Sequence, residues 1–217
     1  MTGMKAKGVI FDCDGTLVDS EVLAHEIMIE MIAELGHAFS MDEAMAAFRG
    51  RKMAECVALI ERHIGRPVPE SFVPEQRRRL AVAFRERLRP IDGALQLVRS
   101  MTLPFCVASS GPREKIELSL SLTGLRPYFG DRIFSSYEVG VWKPDPGLFL
   151  HAAQAMGVKP SECAVVEDSM PGIQAGIAAG MMVYALDSGH DAGPLPPGVQ
   201  VIRHLLELPH ALAAHVS

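Results

Sequence analysis

The chain has 217 residues, a net charge of -5 and 48% hydrophobic residues, which is typical of a globular protein with a substantial core. The acidic balance argues against a nucleic-acid surface, and no apolar run approaches the ~20 residues that a membrane helix needs. The N-terminal segment lacks the features of a signal peptide, and four scattered cysteines indicate thiols in a reducing compartment. We therefore expect a cytoplasmic protein without nucleic-acid or membrane partners.

The first predicted element is a buried strand at residues 9–11, which ends in the turn-forming sequence Asp12-Cys13-Asp14-Gly15-Thr16. Strand alternation places Asp12 and Asp14 on one side and Cys13 on the other. Two carboxylates that project together repel each other unless a cation lies between them. The pattern therefore indicates a metal-assisted site at the carboxyl end of a strand.

Residues from about 21 to 88 have the apolar spacing of helices and no strand signal. Gly36 and Gly65 are predicted to end the first and third helices, and Ser40 with Glu43 forms a capping box at the start of the second. We expect residues 19–88 to form a helical domain inserted after the first strand. Residues 1–18 and 89–217 would then form the other domain.

After Pro90 the predicted strands and helices alternate. Strands are predicted at 105–108, 132–134, 164–166, 182–185 and 199–202, with helices between them. This alternation predicts an α/β fold with a Rossmann-like parallel sheet that is covered by helices on both faces. Small residues in the helix at 172–179 would allow it to pack closely on the sheet.

Polar side chains follow four of the predicted strands, and the carboxyl ends of parallel strands share one edge of a sheet. Each group has a simpler explanation by itself, because a serine can cap a helix and acids can occupy a turn. All four at one edge favour a catalytic site. The groups are Asp12/Asp14, Ser109/Ser110, Lys143 and Glu167/Asp168.

The chemistry that these groups favour is phosphoryl transfer. Asp12, Asp168 and Glu167 offer the hard oxygen ligands that Mg²⁺ prefers. Lys143 and the metal would neutralise charge on the transferring group, which otherwise repels an anionic nucleophile. Ser109 and the amides that begin the next helix would donate to phosphate oxygens.

A carboxylate that attacks phosphorus forms an aspartyl-phosphate intermediate. A second carboxyl group beside it can protonate the leaving oxygen and then take a proton from the attacking water. Asp12 and Asp14 have the spacing for these two tasks.

These motifs resemble, in order and spacing, those of the haloacid-dehalogenase-like hydrolases, and the resemblance covers nearly the whole chain. It implies Asp12 as the nucleophile and Asp14 as the general acid/base. It also implies Mg²⁺ held by Asp12, the Asp14 carbonyl and Asp168, with Glu167 as an outer or auxiliary ligand. Further substrate contacts would come from Gly15, Thr16, Ser110 and Gly111, and the helical insertion would be a mobile cap.

Within this superfamily the chain looks like a β-phosphoglucomutase-like phosphatase, in particular the bacterial 6-phosphogluconate phosphatases. The sequence Phe48-Arg49-Gly50-Arg51-Lys52 resembles their cap specificity loop. Its cations, above all Arg49 and Lys52, would then bind a second anionic group of the substrate. A basic turn between two helices explains the same residues equally well.

Sugar-phosphate mutases of this group carry a histidine and an arginine where this chain has Ala24 and Met53. Both differences favour hydrolysis over a mutase reaction. We therefore expect a Mg²⁺-dependent phosphatase, as a monomer or weak homodimer, that acts on a small phosphorylated metabolite. A sugar or sugar-acid phosphate such as 6-phosphogluconate is the expected substrate.

Two further alternatives belong to other functional classes. A receiver-like signalling module also uses acids, Ser/Thr and Lys around Mg²⁺, but Glu167 and Asp168 lie after Lys143, where such a module has none. A catalytically silent member would bind a metabolite without turning it over. The presence of every expected catalytic residue argues against it.

Overall fold

The computed structural model describes residues 6–187 and 194–214. The first five residues, on which the prediction of no signal peptide rests, part of the loop before the last strand and the last three residues lie outside these ranges. The chain divides into two compact units, of which one is Ser20–Leu88 and the other comprises the rest. Among the described helices, none combines the length and apolar character needed to cross a membrane.

The unit Ser20–Leu88 is helical and has its own apolar core, which includes Ile32, Phe48 and Ile60. Ser40 caps the second helix reciprocally: its Oγ accepts from the Glu43 amide at 3.2 Å, and its own amide donates to the Glu43 carboxylate at 2.8 Å. The four helices are α1 (Glu21–Glu34), α2 (Met41–Phe48), α3 (Met53–Ile64) and α4 (Phe72–Arg87).

The described residues of the other unit form a six-stranded sheet. Its strands are β1 (Gly8–Phe11), β2 (Phe105–Ser109), β3 (Ile133–Ser135), β4 (Cys163–Glu167), β5 (Met182–Leu186) and β6 (Gln200–Ile202). Their order across the sheet is β3-β2-β1-β4-β5-β6, and every neighbouring pair is parallel. This confirms the predicted α/β fold.

Helices cover the sheet on both faces, because every residue of β1, β2 and β4 is buried although successive side chains point to opposite faces. Three short α-helices were not predicted: α7 (Arg126–Phe129) and α8 (Ser136–Val139), which are too short to show an apolar period, and α11 (Leu208–Ala214). The helices are α5 (Ala94–Ser100), α6 (Arg113–Leu122), α7 (Arg126–Phe129), α8 (Ser136–Val139), α9 (Gly147–Ala155), α10 (Met170–Ala178) and α11 (Leu208–Ala214).

Strand β1 lies between β2 and β4, so the chain order reverses there. In open parallel sheets this reversal opens a crevice at the carboxyl ends of the strands, where ligands bind. We call the carboxyl ends of β1, β2 and β4, with the turns that follow them, the carboxyl edge.

Candidate active site

A tight turn follows β1 at the carboxyl edge. The Cys13 carbonyl accepts from the amides of Leu17 and Val18 at 2.9 and 3.0 Å, and Gly15 has φ of 77°. A Cβ at residue 15 would lie 2.3 Å from Asp168 Oδ2, so only glycine allows this approach. The turn therefore brings the backbone of Gly15 directly against Asp168.

The carboxylates of Asp12, Glu167 and Asp168 lie within 4.8 Å of one another. They come from the ends of the adjacent strands β1 and β4, and all three residues are buried. Burial raises the pKa of Asp12 well above its usual value, and the neighbouring carboxylates Glu167 and Asp168 add to this shift, while Lys143 opposes it. Ionisation of all three carboxyl groups is therefore costly unless a cation besides Lys143 lies near them.

Lys143 bridges two of these carboxylates. Its Nζ donates to Asp12 Oδ1, to Glu167 Oε1 at 2.5 Å and to the Ala108 carbonyl at 3.0 Å. Burial alone would lower the pKa of Lys143, but the carboxylates of Asp12 and Glu167 outweigh it and raise that pKa above its usual value. Lys143 is therefore a buried cation whose three N–H donors all have acceptors in the protein.

Both oxygens of Glu167 are engaged. Oε1 accepts from Lys143, while Oε2 accepts from the amides of Asp168 and Ser169 at 3.1 and 3.0 Å and from Ser169 Oγ at 2.8 Å. Ser169 also caps α10 through Gly172 N. Glu167 thus links Lys143 to the beginning of α10, an arrangement that suits an outer role better than a directly ligating one.

Thr16, predicted to contact substrate, is fully buried, and its Oγ1 donates to Asp168 Oδ1 at 3.1 Å. A hydroxyl in this place fixes the orientation of the carboxylate. The structure thus gives Thr16 a supporting position beneath Asp168.

The turn after β2 contains the predicted Ser109, Ser110 and Gly111. Ser109 is buried, and its Oγ accepts from the Gly111 amide at 3.1 Å, which leaves the hydroxyl proton available for a ligand. Ser135, at the end of β3, holds the turn by donating to the Gly111 carbonyl at 2.6 Å. Sequence reasoning missed Ser135, because a single serine after a short strand is an ordinary helix cap.

The haloacid dehalogenase-like hydrolase family matches residues 6–180. The chain is also 37% identical over 207 residues to 6-phosphogluconate phosphatase of Escherichia coli (strain K12), which covers 94% of each chain. It belongs to the haloacid dehalogenase-like hydrolases. The resemblance predicted from the motifs is confirmed, and so is the enzyme class, a phosphatase of this family.

Solved structures of this family share the fold. A conserved haloacid dehalogenase-like protein of Agrobacterium tumefaciens superposes with a TM-score of 0.82 at 31% identity, covering 98% of this chain and 100% of that one. A Thermotoga maritima protein proposed to be a β-phosphoglucomutase superposes with a TM-score of 0.74 at 25% identity, covering 96% and 99%. The similarity therefore extends across both units of the chain.

Lys115, which sequence reasoning missed, lies beside the predicted residue Asp14. The Asp14 carboxylate is not part of the group formed by Asp12, Glu167 and Asp168; instead its Oδ1 lies 2.8 Å from Lys115 Nζ. The available signal was a basic residue in the first turn of α6, where helices favour acidic ones.

The charges of the site fit a divalent cation. Three buried carboxylates face one buried ammonium, Lys143, which leaves two negative charges in a region where uncompensated charge is costly. Carboxylate oxygens are also the ligands that Mg²⁺ takes in enzymes of phosphoryl transfer. The donor set and the charge balance thus both suit this metal.

The predicted cap cations lie in the helical unit. Arg49 Nε is 3.6 Å from Glu21 Oε2, and both side chains are largely buried. Lys52 is exposed and lies 3.5 Å from Glu55. Their contact with a substrate stays a prediction.

Proposed function

We propose that this protein is a Mg²⁺-dependent phosphatase that hydrolyses a small phosphorylated metabolite through an aspartyl-phosphate intermediate. The observation that carries the proposal is the buried group of Asp12, Glu167 and Asp168 bridged by Lys143 at the carboxyl edge. Turn or capping roles do not explain it, since three acids are buried around a single cation.

Asp12 is the proposed nucleophile. Lys143 fixes its Oδ1, so the carboxylate is oriented before substrate binds. As the bond between phosphorus and Asp12 forms, the bond to the leaving oxygen breaks. The match of Asp12 to the nucleophile in the first motif of this family and its contact with Lys143 both support this role.

Asp14 is the proposed proton carrier. Its carboxyl group, two residues after Asp12, transfers a proton to the leaving oxygen and then accepts one from the water that attacks the aspartyl phosphate. Its separation from the three clustered acids supports a role distinct from theirs.

Asp12, Asp168 and the Asp14 carbonyl would hold Mg²⁺. When bound, the ion supplies positive charge that offsets the negative charge of the transferring phosphoryl group. Thr16 keeps Asp168 oriented for this task. The Ser109 hydroxyl and the Ser110 amide would donate to phosphate oxygens, while the Gly111 amide donates to Ser109 Oγ and Ser135 holds the turn in place.

The proposed substrate is a sugar or sugar-acid phosphate, with 6-phosphogluconate as the first candidate. Support comes from the relative at 37% identity, which is a 6-phosphogluconate phosphatase. The helical unit would serve as the cap, and Arg49 and Lys52 would bind the second anion. A cytoplasmic location and a monomeric or weakly dimeric state complete the proposal.

A mutase reaction is the second candidate, favoured by the similarity to the Thermotoga maritima protein. Ala24, on α1, and Met53, the first residue of α3, count against it, because neither side chain can move a proton or bind phosphate.

The decisive experiment measures phosphate release from a panel of phosphorylated sugars, sugar acids and phosphoglycolate, together with isomerisation of glucose 1-phosphate. We expect phosphate release that stops with a chelator and returns with Mg²⁺, and the highest kcat/KM for a sugar-acid phosphate. Asp12→Asn should reduce turnover to background while the protein remains folded by circular dichroism.

Turnover retained by Asp12→Asn would refute the nucleophile assignment. Isomerisation of glucose 1-phosphate that is faster than phosphate release would favour the mutase reaction over hydrolysis. A Mg²⁺-independent rate would refute the metal requirement.

A further inference from the structure

Lys115 is a cation of the site that the proposed chemistry has not used. Its Nζ lies 2.8 Å from Asp14 Oδ1, and both side chains are about a quarter exposed or less. A Cβ at Gly111 would lie 3.6 Å from Lys115 Cδ and 3.8 Å from Asp14 Oδ2. The ion pair therefore lies beside the turn that would bind phosphate.

Helix stability does not explain this position. Lys115 is in the first turn of α6, where the helix dipole disfavours a positive side chain. Arg113 of the same turn forms ion pairs with Glu117, one turn along α6, and with Glu138. Lys115 instead reaches to the turn after β1, 101 residues earlier in the chain.

The two lysines serve different carboxylates. The three N–H donors of Lys143 are directed to Asp12, Glu167 and the Ala108 carbonyl. Asp14 therefore receives its cation from α6 and not from Lys143. This division keeps the nucleophile and the proton carrier in separately fixed orientations.

We propose that Lys115 is a positioning residue for Asp14 in the second half of the reaction, an inference that rests on the proposed function. Once the leaving oxygen has taken its proton, Asp14 is a carboxylate, which is the form that Lys115 binds. The ammonium holds this carboxylate toward the water, which gives a proton to Asp14 as its oxygen attacks phosphorus and the bond to Asp12 breaks. With an ester whose leaving group departs without a proton, Lys115 acts on water attack and hardly at all on phosphorylation of Asp12.

The test uses p-nitrophenyl phosphate with Mg²⁺, because its leaving group departs without a proton. With this ester, kcat/KM reports formation of the phosphoenzyme, and kcat includes its hydrolysis. For Lys115→Met we expect kcat to fall about tenfold and kcat/KM to stay within about twofold. The loss in kcat is smaller than the rate enhancement of about 10²–10⁴ that a general base contributes, because Asp14 itself is retained. Acid-quenched samples should contain more phosphoenzyme than the wild type.

Lys115→Arg keeps the charge and should restore most of kcat. Asp14→Asn should give the same pattern with a larger loss of kcat. Lys159→Met is the matched control, since Lys159 is exposed and precedes β4 at the opposite edge of the sheet; its kinetics should equal the wild type.

An unchanged kcat in Lys115→Met, or equal losses in kcat and kcat/KM, would overturn the inference while leaving the phosphatase intact. A wild type that neither releases p-nitrophenolate nor forms a phosphoenzyme would overturn the proposed function and this inference together. Thermal denaturation of each variant separates loss of activity from loss of fold.

Discussion

Gly172 of α10 lies directly against the carboxyl group of Glu167: a Cβ at residue 172 would be 1.9 Å from the Glu167 carboxyl carbon. Glu167 cannot move aside easily, because it is fully buried and holds both Lys143 and the amide of Ser169. The smallest residue is therefore required in the helix so that a buried acid can orient the lysine of the site.

Gly172→Ala should displace Glu167, and through it Lys143. We expect kcat to fall by at least about 100-fold, and the free energy of unfolding to fall by about 1–3 kcal/mol from overpacking. Steady-state kinetics well below the melting temperature and denaturant unfolding check the two effects.

Gly176→Ala is the matched control on the same helix. Its Cβ would lie 2.8 Å from Val183 Cγ2, so it should cost stability where α10 packs on β5 without touching Glu167. Comparable destabilisation with wild-type kcat is expected there. A fully active Gly172→Ala would show that Glu167 does not orient the site.

Thr16→Val should weaken Mg²⁺ binding by about 10–100-fold, the usual effect of removing a partner that orients a ligand. The substitution keeps the shape of the side chain and removes the hydroxyl that donates to Asp168 at 3.1 Å. Calorimetric titration of the substrate-free protein with Mg²⁺ measures this affinity, and kcat should approach the wild type at saturating metal.

Thr16→Ser keeps a hydroxyl and should bind Mg²⁺ nearly as well as the wild type. If Thr16→Val bound the metal with unchanged affinity, Asp168 would either be held by other groups or not be a ligand.

The sequence predicted those features that depend on short-range pattern. Buried strands, the Ser40 capping box and the end of α3 at Gly65 follow from local composition, and parallel strands bring their carboxyl ends to one edge whatever the loops do. The sequence could not predict which carboxylate each lysine pairs with. Lys115 and Asp14 are far apart in the chain, and their contact depends on how α6 packs. Nor could the sequence predict that the Thr16 hydroxyl donates to Asp168, because this contact joins the turn after β1 to the end of β4.

Neutralising the cap cations should affect substrates that carry a second anion. We expect the variant with Arg49, Arg51 and Lys52 changed to Gln to raise KM about tenfold for 6-phosphogluconate, the size of one lost charged hydrogen bond. The KM for sorbitol 6-phosphate, which has a hydroxymethyl group in place of the carboxylate, should change little.

Arg62→Gln serves as the control for this variant, because Arg62 is an exposed cation on α3 outside the predicted loop. Equal changes in KM for the two substrates would mean that these cations do not bind the second anion.

The pairing of Arg49 with Glu21 predicts, in addition, that Glu21→Gln lowers KM for 6-phosphogluconate, since the internal carboxylate competes with that of the substrate.

The cysteines should be unreactive in the folded protein. Cys13, Cys56, Cys106 and Cys163 are free and buried. At pH 8 we expect an aromatic disulfide reagent to label no thiol of the folded chain and all 4 in urea. Cys13→Ala should keep its turnover, because this thiol lies between Asp12 and Asp14 in sequence but is buried; a large loss would indicate that the thiol takes part.

Burial also gives these thiols a signature in the pH dependence of stability. It raises the pKa of Cys56 and of Cys163 to about 11, whereas an unfolded thiol ionises near 8.5. Between these values the folded state binds more protons, so the free energy of unfolding falls as pH rises. The stabilisation is fully present below about pH 8.5 and is lost as pH approaches 11. Urea unfolding at several pH values should show a shallower decline for Cys56→Ala than for the wild type, and parallel declines would mean that Cys56 ionises in the folded protein as it does in the unfolded chain.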